Sequence, residues 1–197
     1  MRLIGLCGRS GSGKTVFSDS ASKLGFIVVD CDKVYSSLVD KRTKCLCELE
    51  KRFGSEVIKD NSLNRAKMAE IVFSDEKKLA LLNKITHKHV IKEVEKIIKS
   101  SPEESIILLD APTLFESGLD KRCDLVVAVI SDDENCVKRI VERDGISEEK
   151  ALSRLNSQKS AEFLIENCDV IVYNDSTLEV FEKSCLDVCE KIKEGSL

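Results

Sequence analysis

Gly8-Arg9-Ser10-Gly11-Ser12-Gly13-Lys14-Thr15 follows directly on the apolar run Leu3-Ile4-Gly5-Leu6-Cys7. The octapeptide has the Gly-x-x-x-x-Gly-Lys-[Ser/Thr] spacing of a phosphate-binding loop, and the strand-like run before it and helical pattern after it are the setting such a loop requires. In that setting consecutive backbone N–H groups from Gly8, Ser10, Gly11, Ser12 and Gly13 onward face a polyphosphate. Lys14 reaches the terminal phosphates, and the Thr15 hydroxyl sits on a magnesium ion. Gly8, Gly11 and Gly13 permit the tight bends, and a helix beginning near Lys14 adds the partial positive charge of its N-terminus. Nucleotide binding, with Mg2+ beside the phosphates, is the first implication.

Working outward, further apolar runs of strand length stand at Phe26 to Val29, Ile106 to Leu109, Leu125 to Ile130 and Val170 to Tyr173, joining Arg2 to Cys7. Each is rich in Val, Ile or Leu, as strands buried on both faces are. Charged segments with helical spacing separate them, for example Glu76 to Lys99, Asp133 to Arg143, Glu148 to Ser157 and Leu178 to Lys193. Strand and helix in alternation predict an α/β fold with a parallel five-stranded sheet flanked by helices. The stretch from about 53 to 99 holds no convincing strand and reads as an inserted helical element. Within it, Asn64 is placed to cap a helix starting at Arg65.

The 197 residues fit one domain with inserted sub-elements. Net charge is −4, with 31 basic and 35 acidic residues mixed along the chain, so no sustained basic face points to nucleic acid. A small anionic substrate fits better. The nine cysteines contain no Cys-x-x-Cys pair, which argues against a disulfide framework or a zinc site and for reduced thiols in a cytoplasmic protein. No segment has the apolar length of a signal peptide or a bilayer span. The expected state is a monomer or weak homo-oligomer with no membrane partner.

In open α/β sheets ligands gather beyond the carboxyl ends of the strands. The second run ends in Asp30-Cys31-Asp32 and the third in Asp110. Asp110 fits an acid that helps to hold magnesium, and Asp32 a carboxylate that orients or deprotonates an attacking hydroxyl, ahead of the alternative of a helix cap or loop residue; for Asp30 the two readings stand level. Arg139 and Arg143 share a helix face at i, i+4, where like charges repel unless an anion is shared between them. With Arg154 nearby they suggest a lid over 139–159 that closes on the phosphates, the alternative being a solvated helix balanced by Glu142, Asp144, Glu148 and Glu149. Asn174, just past the last run, can read an adenine or merely form a turn. His87 is either a substrate contact or an ordinary helix-surface histidine.

Taken in order, these motifs resemble the dephospho-CoA kinase family over nearly the whole chain. Val29-Asp30-Cys31-Asp32 resembles the family's Asp-Ala-Asp, Leu63-Asn64-Arg65 through Ile71-Val72-Phe73 its Leu-x-Arg to Val-Phe element, and Leu82-Asn83 with Ile85-Thr86-His87 a further element. Asp110-Ala111-Pro112-Thr113-Leu114-Phe115-Glu116 resembles Pro-Leu-Leu-Phe-Glu. Arg139, Arg143, Arg154 and Gln158 resemble the lid, and Val172-Tyr173-Asn174 the closing strand. The resemblance implies a P-loop nucleotide-kinase-like fold with a CoA-binding helical insert and a lid, and transfer of the ATP γ-phosphate to the ribose 3′-hydroxyl of dephospho-CoA. It implies Asp32 as base or positioner, Arg65 and His87 on the acceptor side, and Lys14, Arg139 and Arg143 on the phosphate side. The chain departs from the pattern at Arg9-Ser10 in place of Gly-Ile, Cys31 in place of Ala, Thr113 in place of Leu, Lys88 in place of Pro, and Ser36 where Arg or His is frequent.

Two other readings share some of these features. A kinase for a nucleoside, a nucleotide or a shikimate-like alcohol would have the same loop and lid, and acceptor choice separates it. A GTPase switch would carry Asn-Lys-x-Asp and Asp-x-x-Gly, neither of which occurs.

Overall fold

The computed structural model describes residues 1–73 and 75–197. The chain divides into two compact units, Met1–Val29 with Pro102–Leu197, and Asp30–Ser101. The first unit opens with β1 (Arg2–Cys7), α1 (Lys14–Lys23) and β2 (Ile27–Asp30), whose last residue begins the second unit. The second carries α2 (Cys31–Val39), α3 (Lys44–Phe53), the short strands β3 (Ile58–Lys59) and β4 (Ser62–Leu63), α4 (Arg65–Phe73) and α5 (Glu76–Ser100). The chain then completes the first with β5 (Ile106–Asp110), α6 (Leu114–Ser117), β6 (Leu125–Ile130), α7 (Asp133–Asp144), α8 (Glu148–Asn156), α9 (Ala161–Asn167), β7 (Val170–Tyr173) and α10 (Leu178–Glu194).

The five longer strands form the expected parallel sheet, in the order β2-β5-β1-β6-β7. Central β1 runs parallel to β5, with Leu3 opposite Ile107, and to β6, with Ile4 opposite Leu125. β7 continues beyond β6, with Val127 opposite Val170. Alternation along β1 sorts its side chains between two faces. Ile4 and Leu6 join Phe17 and Ala21 of α1 and Phe181, Cys185 and Cys189 of α10 in one buried cluster. Gly5 serves the opposite face, where a Cβ would lie 2.9 Å from Leu114 Cδ2, so its missing side chain lets α6 close on the strand. Each buried phenylalanine contributes about 2–3 kcal/mol by leaving water.

The predicted strand at Phe26 starts one residue late. Gly25 adopts φ +89, its N–H bonds to Ser22 O at 3.0 Å, and the Phe26 N–H bonds to Ala21 O at 3.1 Å. This is the double hydrogen bond that closes a helix through a left-handed glycine, and it ties Phe26 to the end of α1 rather than to the sheet.

The second unit has its own core, formed by Val39, Cys45, Leu46, Leu49, Phe53, Val57, Leu63, Met68, Val72 and Ile85. The expectation that 53–99 lacks strands is corrected, because β3 and β4 pair antiparallel, with Ile58 opposite Leu63. Asp60 and Asn61 join them with φ of 50 and 61, the two-residue turn whose twist matches that of paired strands; Asp and Asn tolerate that left-handed conformation. Two-residue strands are too short to leave an alternation signal. Asn64 does cap α4, its Oδ1 accepting from the Lys67 N–H at 3.2 Å.

Phe181→Ala should leave an unfilled cavity beneath the sheet and lower stability by about 3–5 kcal/mol. Urea unfolding followed by far-UV circular dichroism measures it; a loss below about 1 kcal/mol, nearer the scale of a surface substitution, would contradict the packing described.

Candidate active site

Between β1 and α1 the chain has to turn sharply while keeping its N–H groups available. Gly13 meets that demand in the left-handed region, with φ 108 and ψ 18 at the cap of α1. A Cβ there would sit 2.4 Å from Asn174 Nδ2 and 3.0 Å from Phe181 Cε1, so glycine is required for space as well as for conformation.

The loop's carbonyls are held by the protein itself. Gly8 O accepts from Lys14 Nζ at 2.9 Å, and Arg9 O from the Ser12 N–H at 3.1 Å. Gly11 O accepts from Arg139 Nη1 at 3.1 Å, and Ser12 O from Asn174 Nδ2 at 2.7 Å. The first turn of α1 presents N–H groups that helix geometry leaves without intrahelical acceptors. Ser12 Oγ is buried with no hydrogen-bond partner among the described residues.

At the end of β5, Asp110 Oδ2 accepts from Ser18 Oγ at 2.8 Å. Ser18 follows Thr15 by three residues in α1, so the two share a helix face and the Asp110 carboxylate is brought to the side of α1 that carries Thr15. A hydroxyl and a carboxylate are the hard oxygen donors magnesium prefers, and that ion takes few protein ligands because phosphates and water complete its shell. Among the described residues no cluster of three His, Cys, Asp or Glu side chains is placed to hold a metal. Ser18 was not singled out from the sequence, although its spacing from Thr15 is the signal that could have found it.

Arg139 and Arg143 do converge on a common object, and that object is the loop. Besides Gly11 O, Arg139 donates to Ser131 Oγ at 3.0 Å and to Asn174 O at 3.2 Å. Arg143 Nη2 reaches Ser10 Oγ at 3.5 Å and also pairs with Asp144 through Nε at 2.7 Å. Arg154 adds a second ion pair to Asp144. Asn174 is buried and central, since its N–H bonds to Ile130 O at 2.7 Å and its carbonyl accepts from Ser131 Oγ at 2.8 Å. Gln158, which the sequence left without a role, accepts from the Ser10 N–H at 2.8 Å. Arg9, a departure from the resembled pattern, is buried, pairs with Asp133 and reaches Leu155 O at 3.3 Å. Its guanidinium thereby links the loop to the starts and ends of the segment carrying α7 and α8.

The second unit carries the other candidates. Asp30 is the cap of α2, its Oδ1 accepting from the Lys33 N–H at 2.9 Å. Asp32 lies exposed in the first turn of the same helix, outside that capping role. Arg65 pairs with Asp40 at 2.9 Å, approaches Ser36 Oγ at 3.5 Å and lies 5.4 Å over the Tyr35 ring. The serine at the position where Arg or His is frequent is thus beside Arg65. His87 is half-buried on α5, and the neighbouring departure, Lys88, pairs with Glu48 at 2.6 Å, as His89 does at 2.8 Å. Those two hydrogen bonds, Lys88 first, pull the Glu48 carboxyl below its ordinary range.

A sheet of this order with a built phosphate loop, a paired strand-end acid and two arginines bonded to the loop defines a P-loop phosphotransferase. The sequence profile of dephospho-CoA kinase matches residues 2–179. The chain belongs to the dephospho-CoA kinase family. It is similar to the dephospho-CoA kinase of Fusobacterium nucleatum, with 39% identity over 191 residues that cover 96% of this chain and 98% of that protein. Among solved structures, one from Thermus thermophilus matches with a TM-score of 0.83 and 27% identity over 97% of both chains. The dephospho-CoA kinase of Campylobacter jejuni matches with a TM-score of 0.75 and 26% identity over the full length of both. Among the described residues no helix is long and apolar enough to cross a membrane.

The Arg143 hydrogen bond, with that of Arg154 behind it, holds the Asp144 carboxyl at about 2, below its ordinary 3.8. A depressed carboxyl stabilises the fold above its unfolded pKa, and that contribution should vanish as pH falls from about 4 toward 2. Carbon-detected NMR titration of Asp144 checks this; an unshifted midpoint would mean that the arginines are not engaged with it.

Proposed function

We propose that this chain transfers the γ-phosphate of ATP to the ribose 3′-hydroxyl of dephospho-CoA, yielding CoA in the last step of CoA biosynthesis. The observation that carries the reading is the family match across residues 2–179, which takes in the phosphate loop, Asp32, Arg65, His87 and Asn174 together. In this reading the loop from Gly8 to Thr15 and Asn174 bind the nucleotide. Residues 53–99 form the acceptor-binding element, and residues 139–159 form the lid.

Lys14 and the N-terminus of α1 neutralise the terminal phosphates. Thr15 and Asp110 hold the magnesium ion, which supplies further neutralisation of phosphate charge when bound. Asp32 accepts a hydrogen bond from the 3′-hydroxyl, aligns it for in-line attack and takes its proton. Arg65 and His87 bind the acceptor. Arg139 and Arg143 exchange part of their bonding to the loop for the equatorial oxygens of the transferring phosphoryl, where planar guanidinium groups suit spread charge. The protein works in the cytoplasm as a monomer or weak homo-oligomer, without nucleic acid or membrane partners.

The test is ADP release from magnesium ATP with dephospho-CoA, beside parallel reactions with AMP, CMP, adenosine or shikimate. Release with dephospho-CoA alone, and a product of the mass of CoA, is expected; preference for another acceptor would overturn the substrate and keep the kinase. Asp32→Ala should lower turnover by about 10²–10⁴-fold, the usual worth of a positioned base, with ATP affinity nearly unchanged by calorimetry. Wild-type turnover in that variant would remove Asp32 from the mechanism.

A further inference from the structure

Cys7 closes β1 and immediately precedes Gly8 of the phosphate loop. It is 2% exposed, and it lines a narrow crevice with Gly8, Phe115, Glu116, Gln158 and Lys159. Cys168 lies far away in sequence, at the junction between α9 and β7, and is partly exposed. Their sulfurs are 3.5 Å apart. A disulfide would bring them to about 2.05 Å, a closure of roughly 1.5 Å.

We propose that Cys7 and Cys168 form a reversible thiol–disulfide site, oxidised by a hydroperoxide, whose closure disables the phosphate loop. The two thiols divide the chemistry between them. Cys168 is reachable from solvent, and the hydrogen bond from Cys7 favours its thiolate; that same bond, together with burial, keeps Cys7 protonated. The Cys168 thiolate attacks one peroxide oxygen, the O–O bond breaks, and hydroxide leaves a sulfenic acid on Cys168. The Cys7 sulfur then attacks the Cys168 sulfur, the S–O bond breaks, and water departs with the Cys7 proton. In sum two thiols and one hydrogen peroxide give one disulfide and two waters. Cys185 and Cys189, one helical turn apart on α10, are both fully buried, so neither offers an exposed thiol to meet the oxidant first.

Movement at Cys7 passes directly to its chain neighbour Gly8. A Cβ on Gly8 would lie 2.6 Å from Val129 O and 2.7 Å from Ser12 Oγ, and Gly8 O is the acceptor that positions Lys14. Drawing Cys7 toward Cys168 therefore shifts the backbone that holds Lys14. Loss of one charge-assisted contact to phosphate would weaken ATP binding about tenfold.

The whole reduced protein is treated with hydrogen peroxide, its remaining thiols are alkylated, and it is digested without reductant for mass spectrometry. A peptide pair joining Cys7 to Cys168, removed by dithiothreitol, is expected. ATP affinity is measured by calorimetry before and after oxidation in wild type, Cys168→Ser and Cys168→Ala. Wild type should weaken about tenfold and recover with dithiothreitol, while both variants keep their affinity. Absence of the linked pair, linkage between other cysteines, or equal loss in the variants would overturn the proposal. Because neither readout involves an acceptor, a wrong assignment of dephospho-CoA would leave the result intact.

Discussion

A phosphate-binding loop must satisfy its own carbonyls while leaving N–H groups for a phosphate; the Ser12 N–H is spent on Arg9 O and the Ser10 N–H on Gln158, and side-chain donors hold the carbonyls of Gly8, Gly11 and Ser12. The side-chain donors that meet this requirement come from far apart in the chain: Lys14 from the loop itself, Arg139 from α7 and Asn174 from the end of β7. Each is placed by a regular element, so the loop is shaped from outside by a rigid scaffold. Asn174 shows how economical the arrangement is, because its side chain holds Ser12 O while its backbone carbonyl receives Ser131 and Arg139. Gly13 permits the approach, since any Cβ would occupy the place of the amide.

The same requirement explains the choice of arginine around the loop. A guanidinium has several donors in a fixed plane and remains charged, so one side chain can serve two or three oxygens at once. Arg139 does this with Gly11 O, Ser131 Oγ and Asn174 O. Arg9 does it with Asp133 and Leu155 O, although its Nε remains without a partner among the described residues. A lysine at either place would supply a compact charge without the fork. Glycine at position 9 would remove this link to the α7–α8 segment and leave those made by Arg139 and Arg143.

Much of this architecture was legible before any coordinates, and the reasons are specific. Leu125–Ile130 and Val170–Tyr173 are uninterrupted apolar runs bounded by acids and small residues, and their limits coincide with the strands. The loop was readable because its chemistry is local to eight consecutive residues. What escaped notice depends on contacts between distant positions. The Ser18–Asp110 hydrogen bond joins residues 92 apart, and the Gln158–Ser10 bond residues 148 apart; Ser18's spacing from Thr15 points to the first only in part, and no local pattern encodes the second. The β3–β4 hairpin was missed because two residues per strand cannot display alternation, leaving only Asp60-Asn61 as a turn signal. Asp30 and Asp32 were hard to separate by spacing alone, whereas the cap hydrogen bond to Lys33 assigns Asp30 a structural part.

The split of the first unit into Met1–Val29 and Pro102–Leu197 has a consequence for how the chain is made. Synthesis proceeds from the N-terminus, so β1 leaves the ribosome with both hydrogen-bonding edges bare, and neither neighbour exists until Ile106–Asp110 and Leu125–Ile130 have followed. The unit Asp30–Ser101 is contiguous and is complete before that. It can therefore fold while the sheet that will hold the phosphate loop is still a single unpaired ribbon.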